Sequence, residues 1–231
     1  MRPLSWTSRA RRSCWTRPTQ ARIQGAADAL FGAFSLAHDR GPPHERARLG
    51  RLVIDQTRRL VDGAKAERLQ SLLALLLLTH ARVEARFDGR NEPIPLEHQD
   101  RRRWKRADLD EGFERLARVE VHDHFAIKAA LAAEHGRAST YEGTNWSAIA
   151  ALYERLIVVD GSPATRLGWI VADSRGRGPE AGLAALDRSA DMLDALAGFH
   201  AARGAMLREL GRVPDARQAY ERAEGLAFAA P

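Results

Sequence analysis

The sequence predicts an all-α protein: antiparallel helical hairpins that pass into a helical-repeat solenoid over the C-terminal half. Three observations carry this expectation. Leu and Ala dominate a 231-residue chain in which only 6% of residues are aromatic, a mixture that loses little side-chain freedom in helices. Apolar residues recur at helical spacing through nearly the whole length. The C-terminal half breaks into short helix pairs whose small and large residues recur at a nearly fixed interval.

The elements follow in chain order. Ala26–His38 is apolar at Leu30, Phe31, Phe34 and Leu36. A Gly-Pro-Pro break at 41–43 precedes a second helix, apolar at Leu49, Leu52, Val53, Leu60 and Val61, which Asp62-Gly63 ends. Ala66–Phe87 is expected as a third, strongly apolar helix built on Leu69, Leu72, Leu73, Leu76, Leu77 and Val83. Its run Leu72–Leu78 falls far short of the roughly 20 residues a membrane span requires, so the run is expected as a buried helix and no membrane contact is expected. Residues 88–99 form a loop or minimal hairpin, because Asp88-Gly89 is a turn signal and Pro93 and Pro95 force extended backbone. A helix starting at Asp100 carries Trp104, Leu109, Phe113, Leu116 and Val119.

From about residue 124 the pattern changes to paired helices. Phe125–His135 pairs with Asn145–Val159, Ala164–Ser174 with Pro179–Arg188, and Met192–Leu210 with Pro214–Ala227. In the last pair Gly204, Leu207, Gly211, Ala216, Tyr220 and Ala223 fit the small and large positions of a 34-residue tetratricopeptide repeat. Gly176, Ala181 and Ala185 repeat the turn-to-small spacing, and Tyr153 stands close to two periods before Tyr220. Such repeats bury their faces by stacking and present a concave binding surface. The expected organisation is therefore a basic, unstructured leader over 1–24, a helical domain over 25–122 with its insert at 88–99, and tetratricopeptide-like repeats over 123–231.

Charge locates one feature sharply. The chain carries 36 Lys and Arg against 30 Asp and Glu. Six of the arginines (Arg2, Arg9, Arg11, Arg12, Arg17, Arg22) fall in residues 1–24, which hold no acid, so the remainder is neutral. Basicity confined to a tail gives at most sequence-blind, salt-sensitive binding to nucleic acid. Deleting residues 1–24 is expected to abolish any retention of DNA on a filter at low salt, and no promoter-specific binding by this chain alone is expected.

Chemical motifs are sparse. A single cysteine, Cys14, leaves no internal disulfide and no cysteine metal cluster. The basic start is not followed by an apolar stretch, so no signal peptide is read and a cytoplasmic location is expected. His122, Asp123 and His124 stand at spacings other than the helical i, i+4 of metal sites and read as a polar linker. Phosphate-binding, nucleophile-elbow and dinucleotide glycine patterns are absent from the sequence. No enzyme activity and no cofactor are expected. In Gln99–Trp104 two readings stand side by side. Asp100 can cap the following helix with Trp104 in the core, or Asp100, Arg101 and Trp104 can form a protein interface of hot-spot composition. Trp146, after the cap candidates Thr144 and Asn145, is expected to pack between repeats.

Four ordered segments together carry a family resemblance. They are LEHQDRRRW (Leu96–Trp104), TNWSAIAALYERL (Thr144–Leu156), GPEAGLAALD (Gly178–Asp187) and HAARGAMLRELGRVPDARQAYERA (His200–Ala223). The run over about 26–228 resembles the tetratricopeptide-like C-terminal extension of extracytoplasmic-function RNA polymerase sigma factors. The resemblance implies a non-catalytic regulatory module of transcription initiation whose partners are RNA polymerase or sigma-domain surfaces; the alternative is a free-standing repeat module that binds some other protein. Only about 25 residues precede the resemblance, too few for a promoter-reading domain. The family's further polar helix is absent after Phe228-Ala229-Ala230-Pro231. A truncated extension is expected, with Leu226 and Phe228 exposed and promoting self-association through the C-terminus.

Overall fold

A computed structural model describes residues 20–42, 44–64 and 66–229. It is all-helical. The helices are α1 (Gln20–Ser35), α2 (Arg46–Ala64), α3 (Glu67–His80), α4 (Arg106–Leu116), α5 (His124–Arg137) and α6 (Trp146–Val159). They continue as α7 (Pro163–Arg177), α8 (Pro179–Arg188), α9 (Ala190–Leu193), α10 (Ala197–Glu209) and α11 (Val213–Ala229). A π-helical turn, Leu36–Arg40, extends α1, and two 3₁₀ turns, Leu96–His98 and Arg101–Arg103, precede α4. Among the described residues the sheet content is one antiparallel bridge, Phe87 to Pro93, closing a tight hairpin. Asp88 holds that hairpin by accepting from the backbone N–H of Arg90 and Glu92 at 2.9 and 2.8 Å. The leader expected over 1–24 lies outside the described residues up to 19; from Gln20 it is the first turn of α1.

The architecture is built around α3. Its Leu69, Leu72, Leu73, Leu76, Leu77 and Leu78 are buried, and α1, α2, α4 and α5 pack around it. Burial on every side is what an all-round apolar helix requires. Each such leucine contributes roughly 2–3 kcal/mol through the water it sheds. The first core continues into α5 through Phe125, Ala129 and Ala133. The opposite side of α5, Ile127 and Leu131, joins Ile149, Leu156 and Ala172 in the next core cluster. The last cluster runs from Ile170 through Leu186, Phe199 and Leu207 to Ala219. The boundary expected at 122–123 therefore falls beside a helix that both sides share.

Beyond α5 each helix packs on the next: α6 on α7, α7 on α8, α8 on α10 and α10 on α11. Side-chain caps set several starts. Asn145, a cap candidate in the sequence, accepts from Ala148 N–H; Ser162, which the sequence reading does not single out, accepts from Thr165 N–H, with Pro163 in the first turn of α7. Left-handed glycines turn the chain at Gly178 (φ 90°) and Gly211 (φ 72°), where a side chain would be strained.

Three helices differ from expectation. The third ends at His80 rather than Phe87. Beyond it Ala81, Val83 and Ala85 are all buried, at every second residue, and a continuous helix would aim such residues to opposite sides. The chain therefore proceeds through successive tight turns. The helix expected from Asp100 begins at Arg106. Trp104 and Lys105 are extended, and Lys105 N–H donates to the Ala81 carbonyl at 2.8 Å, pinning the break to the end of α3. Met192–Leu210 is split at 194–196, where His200 Nε2–H donates to the Asp194 carbonyl at 2.8 Å.

Two tyrosines show how close approach is achieved. A methyl built on Gly168 of α7 would come within 2.5 Å of the Tyr153 ring of α6. One built on Gly204 of α10 would come within 2.9 Å of the Tyr220 ring of α11. Tyr153 thus leans on the following helix and Tyr220 on the preceding one, so their spacing of about two repeats does not make them equivalent. Gly168→Ala is expected to cost about 2 kcal/mol by overpacking, read as a fall in urea midpoint. Tyr220, at a large position of the last repeat, meets Gly204 at a small one but is half-buried, since the stripe facing α10 is Ala216, Ala219 and Ala223. Tyr220→Ala is therefore expected to cost about 1–2 kcal/mol, less than a core aromatic deletion. Leu226 is half-buried, and the side chain of Phe228 lies outside the described residues.

Candidate functional site

The segment singled out by sequence is tied inward. Asp100 starts its 3₁₀ turn by accepting from Arg102 N–H at 3.0 Å, and the Arg102 guanidinium pairs with the same carboxylate. The hydrogen bonds from Arg102 hold the Asp100 carboxyl below its ordinary range. Arg101 reaches the end of α5, where one terminal nitrogen donates to the carbonyls of His135 and Ala138 at 2.6 and 2.8 Å. A cation on exposed C-terminal carbonyls satisfies them and complements the helix dipole. Trp104 is only 7% exposed. The guanidinium carbons of Arg101 and Arg82 lie 4.6 and 5.3 Å from its ring centroid. This geometry follows the structural reading of the segment: Trp104 offers almost no surface to a partner.

Beside that layer opens a cleft of about 470 Å³. One wall is Phe31, Phe34 and His38 from α1 and its π-helical turn; another is Thr79, Arg82 and Arg86 from the end of α3 and the turns after it. Lys128 and Leu131 of α5 and Tyr153, Leu156, Asp160 and Thr165 around the α6–α7 turn complete it. The cleft thus lies where the bundle around α3 meets the first of the following helix pairs.

Its electrostatics are uneven. Lys128 pairs with Asp160 at 3.2 Å and Arg86 with Asp39 at 2.9 Å. Arg86 also hydrogen-bonds His38 Nδ1. His38 is fully buried, stacked on Phe34 with ring centroids 4.8 Å apart. Burial, reinforced by Arg86, lowers it to about 3. Arg82, lowered to about 10 by burial and by the neighbouring charges of Arg86 and Arg101, makes no ion pair among the described residues.

A second aromatic cluster stands at the junction of α5, α6 and α7. Trp146 meets the rings of His135 and Tyr141 edge-on at 5.6 and 5.1 Å, and Arg175 lies 5.9 Å over Trp146 while pairing with Glu209 at 2.8 Å. Trp146 packs between successive helix pairs, as its sequence context suggested. Asp123 is the N-cap of α5, accepting from Phe125 and Ala126 N–H at 2.7 and 3.0 Å. His124 lies against the ring of Phe125. Among the described residues no three His, Cys, Asp or Glu gather as metal ligands, and no helix is long and apolar enough to cross a membrane.

Sequence reading did not anticipate Arg82, Arg86, Lys128 or Asp160 as a group. The available signal was His80, Arg82 and Arg86 continuing an otherwise apolar helix. Charges there must be paired, solvated or used.

Comparison with known proteins gives two matches. The model of a family of unknown function, DUF6596, matches residues 22–120, the stretch that holds α1 to α4. An uncharacterized protein of Rhizobium meliloti (strain 1021) is 36% identical over 212 residues, covering 89% of this chain and 50% of the relative. The chain therefore spans about half the length of that relative. No solved structure matches.

Proposed function

We propose that the chain is a non-catalytic regulatory module of transcription initiation, of the kind that extends the C-terminus of an extracytoplasmic-function sigma factor. It acts by docking its helix pairs, arranged as a tetratricopeptide-like solenoid, on sigma domains or RNA polymerase. The observation that supports this most is the offset between successive pairs. Helices α7 and α10 begin 34 residues apart (163 to 197), as do α8 and α11 (179 to 213), with left-handed turn glycines at 178 and 211. That is the period of a tetratricopeptide repeat, whose stacked units serve as binding surfaces. The segments on which the sigma-factor resemblance rests occupy α6, α8, α10 and α11 and the turns before α4.

The Trp146, Tyr141 and Arg175 cluster supplies side chains of the types that dominate interface energetics. In-vitro transcription provides the test. The two promoter-reading domains of a factor of this group are supplied in trans to core polymerase, with and without the chain. Transcript yield is expected to change several-fold when the chain is added, and Trp146→Ala is expected to reduce that change. An unaltered yield, together with no retention of the chain on polymerase or on those domains, would contradict the reading.

A further inference from the structure

The cleft contains one cation whose hydrogen-bonding capacity the protein leaves unused. Only Nε of Arg82 has a described partner, the side-chain oxygen Oε1 of Gln99 at 3.2 Å. Gln99 is itself fixed, its amide nitrogen donating to the Ile94 carbonyl at 2.8 Å. The Arg82 side chain is thus held in place from behind, over Trp104 on one element and by Gln99 on another. Its two terminal nitrogens have no acceptor among the described residues. Stacking on Trp104 accounts for where the guanidinium lies, but not for four unused N–H groups at a cavity wall.

Charge counting inside the cleft gives the ligand's class. Arg82, Arg86 and Lys128 stand against Asp39 and Asp160, and the two carboxylates are taken by Arg86 and Lys128. One positive charge remains, on a half-buried side chain that water solvates only in part. The planar fork of an arginine matches a carboxylate through two parallel hydrogen bonds. A phosphate dianion would leave a negative charge unmatched. Phe31, Phe34, Leu131 and Leu156 supply an apolar part of the remaining wall, beside the hydroxyl side chains of Ser35, Thr79, Ser162 and Thr165, and the volume falls in the range of roughly 300–1,000 Å³ of small-molecule sites.

We propose that this cleft binds a small molecule carrying a single carboxylate on an apolar body. The carboxylate accepts a bidentate pair from Arg82, and the body lies among Phe31, Phe34, Leu131 and Leu156. Gln99 and Trp104 act as positioning residues for Arg82. Because the walls come from α1 and α3 on one side and the α6–α7 turn on the other, occupancy ties the bundle around α3 to the helix pairs that follow.

Calorimetric titration and thermal unfolding of the full chain test the site. The probes are octanoate and 4-phenylbutanoate, the neutral amide of each, and inorganic phosphate. The carboxylates are expected to bind and raise the melting temperature, with each amide weaker by about tenfold or more, since it cannot accept a charge-assisted pair. Arg82→Met is expected to abolish carboxylate binding while melting no lower than the parent chain, because it removes an unpaired cation. Arg82→Lys, which keeps the charge and loses the fork, is expected to bind weakly. The comparison of carboxylate with amide needs no variant, so it stands even where a substitution disturbs folding. Four results would overturn the proposal: no binding of either carboxylate up to about 10 mM, amides binding as well as acids, phosphate binding as tightly with the same Arg82 dependence, or carboxylate binding unchanged in Arg82→Met.

Discussion

Acidification from about pH 7 to about pH 5 is expected to destabilise the fold by roughly 5–6 kcal/mol through three histidines. His38 and His80 are completely buried around Phe34, with their ring centroids 5.9 Å apart. His135 sits against Trp146. Burial lowers His38 to about 3, aided by Arg86. It lowers His80 to about 4, aided by Arg51, and His135 to about 4, aided by Arg82. In the unfolded chain each ring takes up its proton near 6.5. The unfolded state therefore binds more protons between about 6.5 and 4, and the stability present above that window is lost as the pH falls through it. Each histidine contributes at most about 1.4 kcal/mol per pH unit, or roughly 2 kcal/mol by pH 5. Urea unfolding at a series of pH values measures the slope. Replacing His135 by Gln should remove about a third of it, and a flat profile above pH 5 would show that these rings are solvated.

Loss of Arg51 is the second large effect. Asp108 of α4 is 5% exposed, and both its oxygens accept from one terminal nitrogen of Arg51 on α2 at 2.7 and 2.6 Å. The pair joins the two helices that flank α3. Arg51→Met strands a buried carboxylate, at a cost of about 3 kcal/mol. The double substitution Arg51→Met with Asp108→Asn should recover most of that loss, because no charge is then left uncompensated. Equal losses in the single and double variants would mean that packing, rather than charge, holds this junction.

These two sites mark the limit of what the chain discloses to a reader of sequence. Regular periodicity was legible. The leucines of α3, the cap Asn145, the turn at Asp88-Gly89 and the meeting of Tyr220 with Gly204 all follow from local spacing, whereas Asp123, read as part of a polar linker, caps α5. The helix that the spacing predicts over Pro179–Arg188 forms over the same residues. Where burial stops following one period the reading slips: Ala81, Val83 and Ala85 are buried at alternate positions, and Trp104 is extended rather than helical. Asp100, Arg101 and Trp104 were legible as a cluster, but not the direction in which they face. Arg101 caps a helix 34 residues later in the chain (101 to 135), and such long-range pairing leaves no local trace. The same holds for the cleft, whose walls come from segments more than a hundred residues apart. Arg82, Lys128 and Asp160 each read as ordinary surface charges until the fold assembles them.

The helix pairs are proposed above to dock on the transcription machinery. Calorimetric titration of the chain into purified core RNA polymerase, and separately into the paired promoter-reading domains of an extracytoplasmic-function factor of this group, tests this docking most directly. Saturable binding to one of the two is expected, with a dissociation constant in the micromolar range or tighter, about −8 kcal/mol, weakened at least tenfold by Trp146→Ala. Absence of heat and of co-elution with both, from a chain that unfolds cooperatively and is therefore intact, would contradict it.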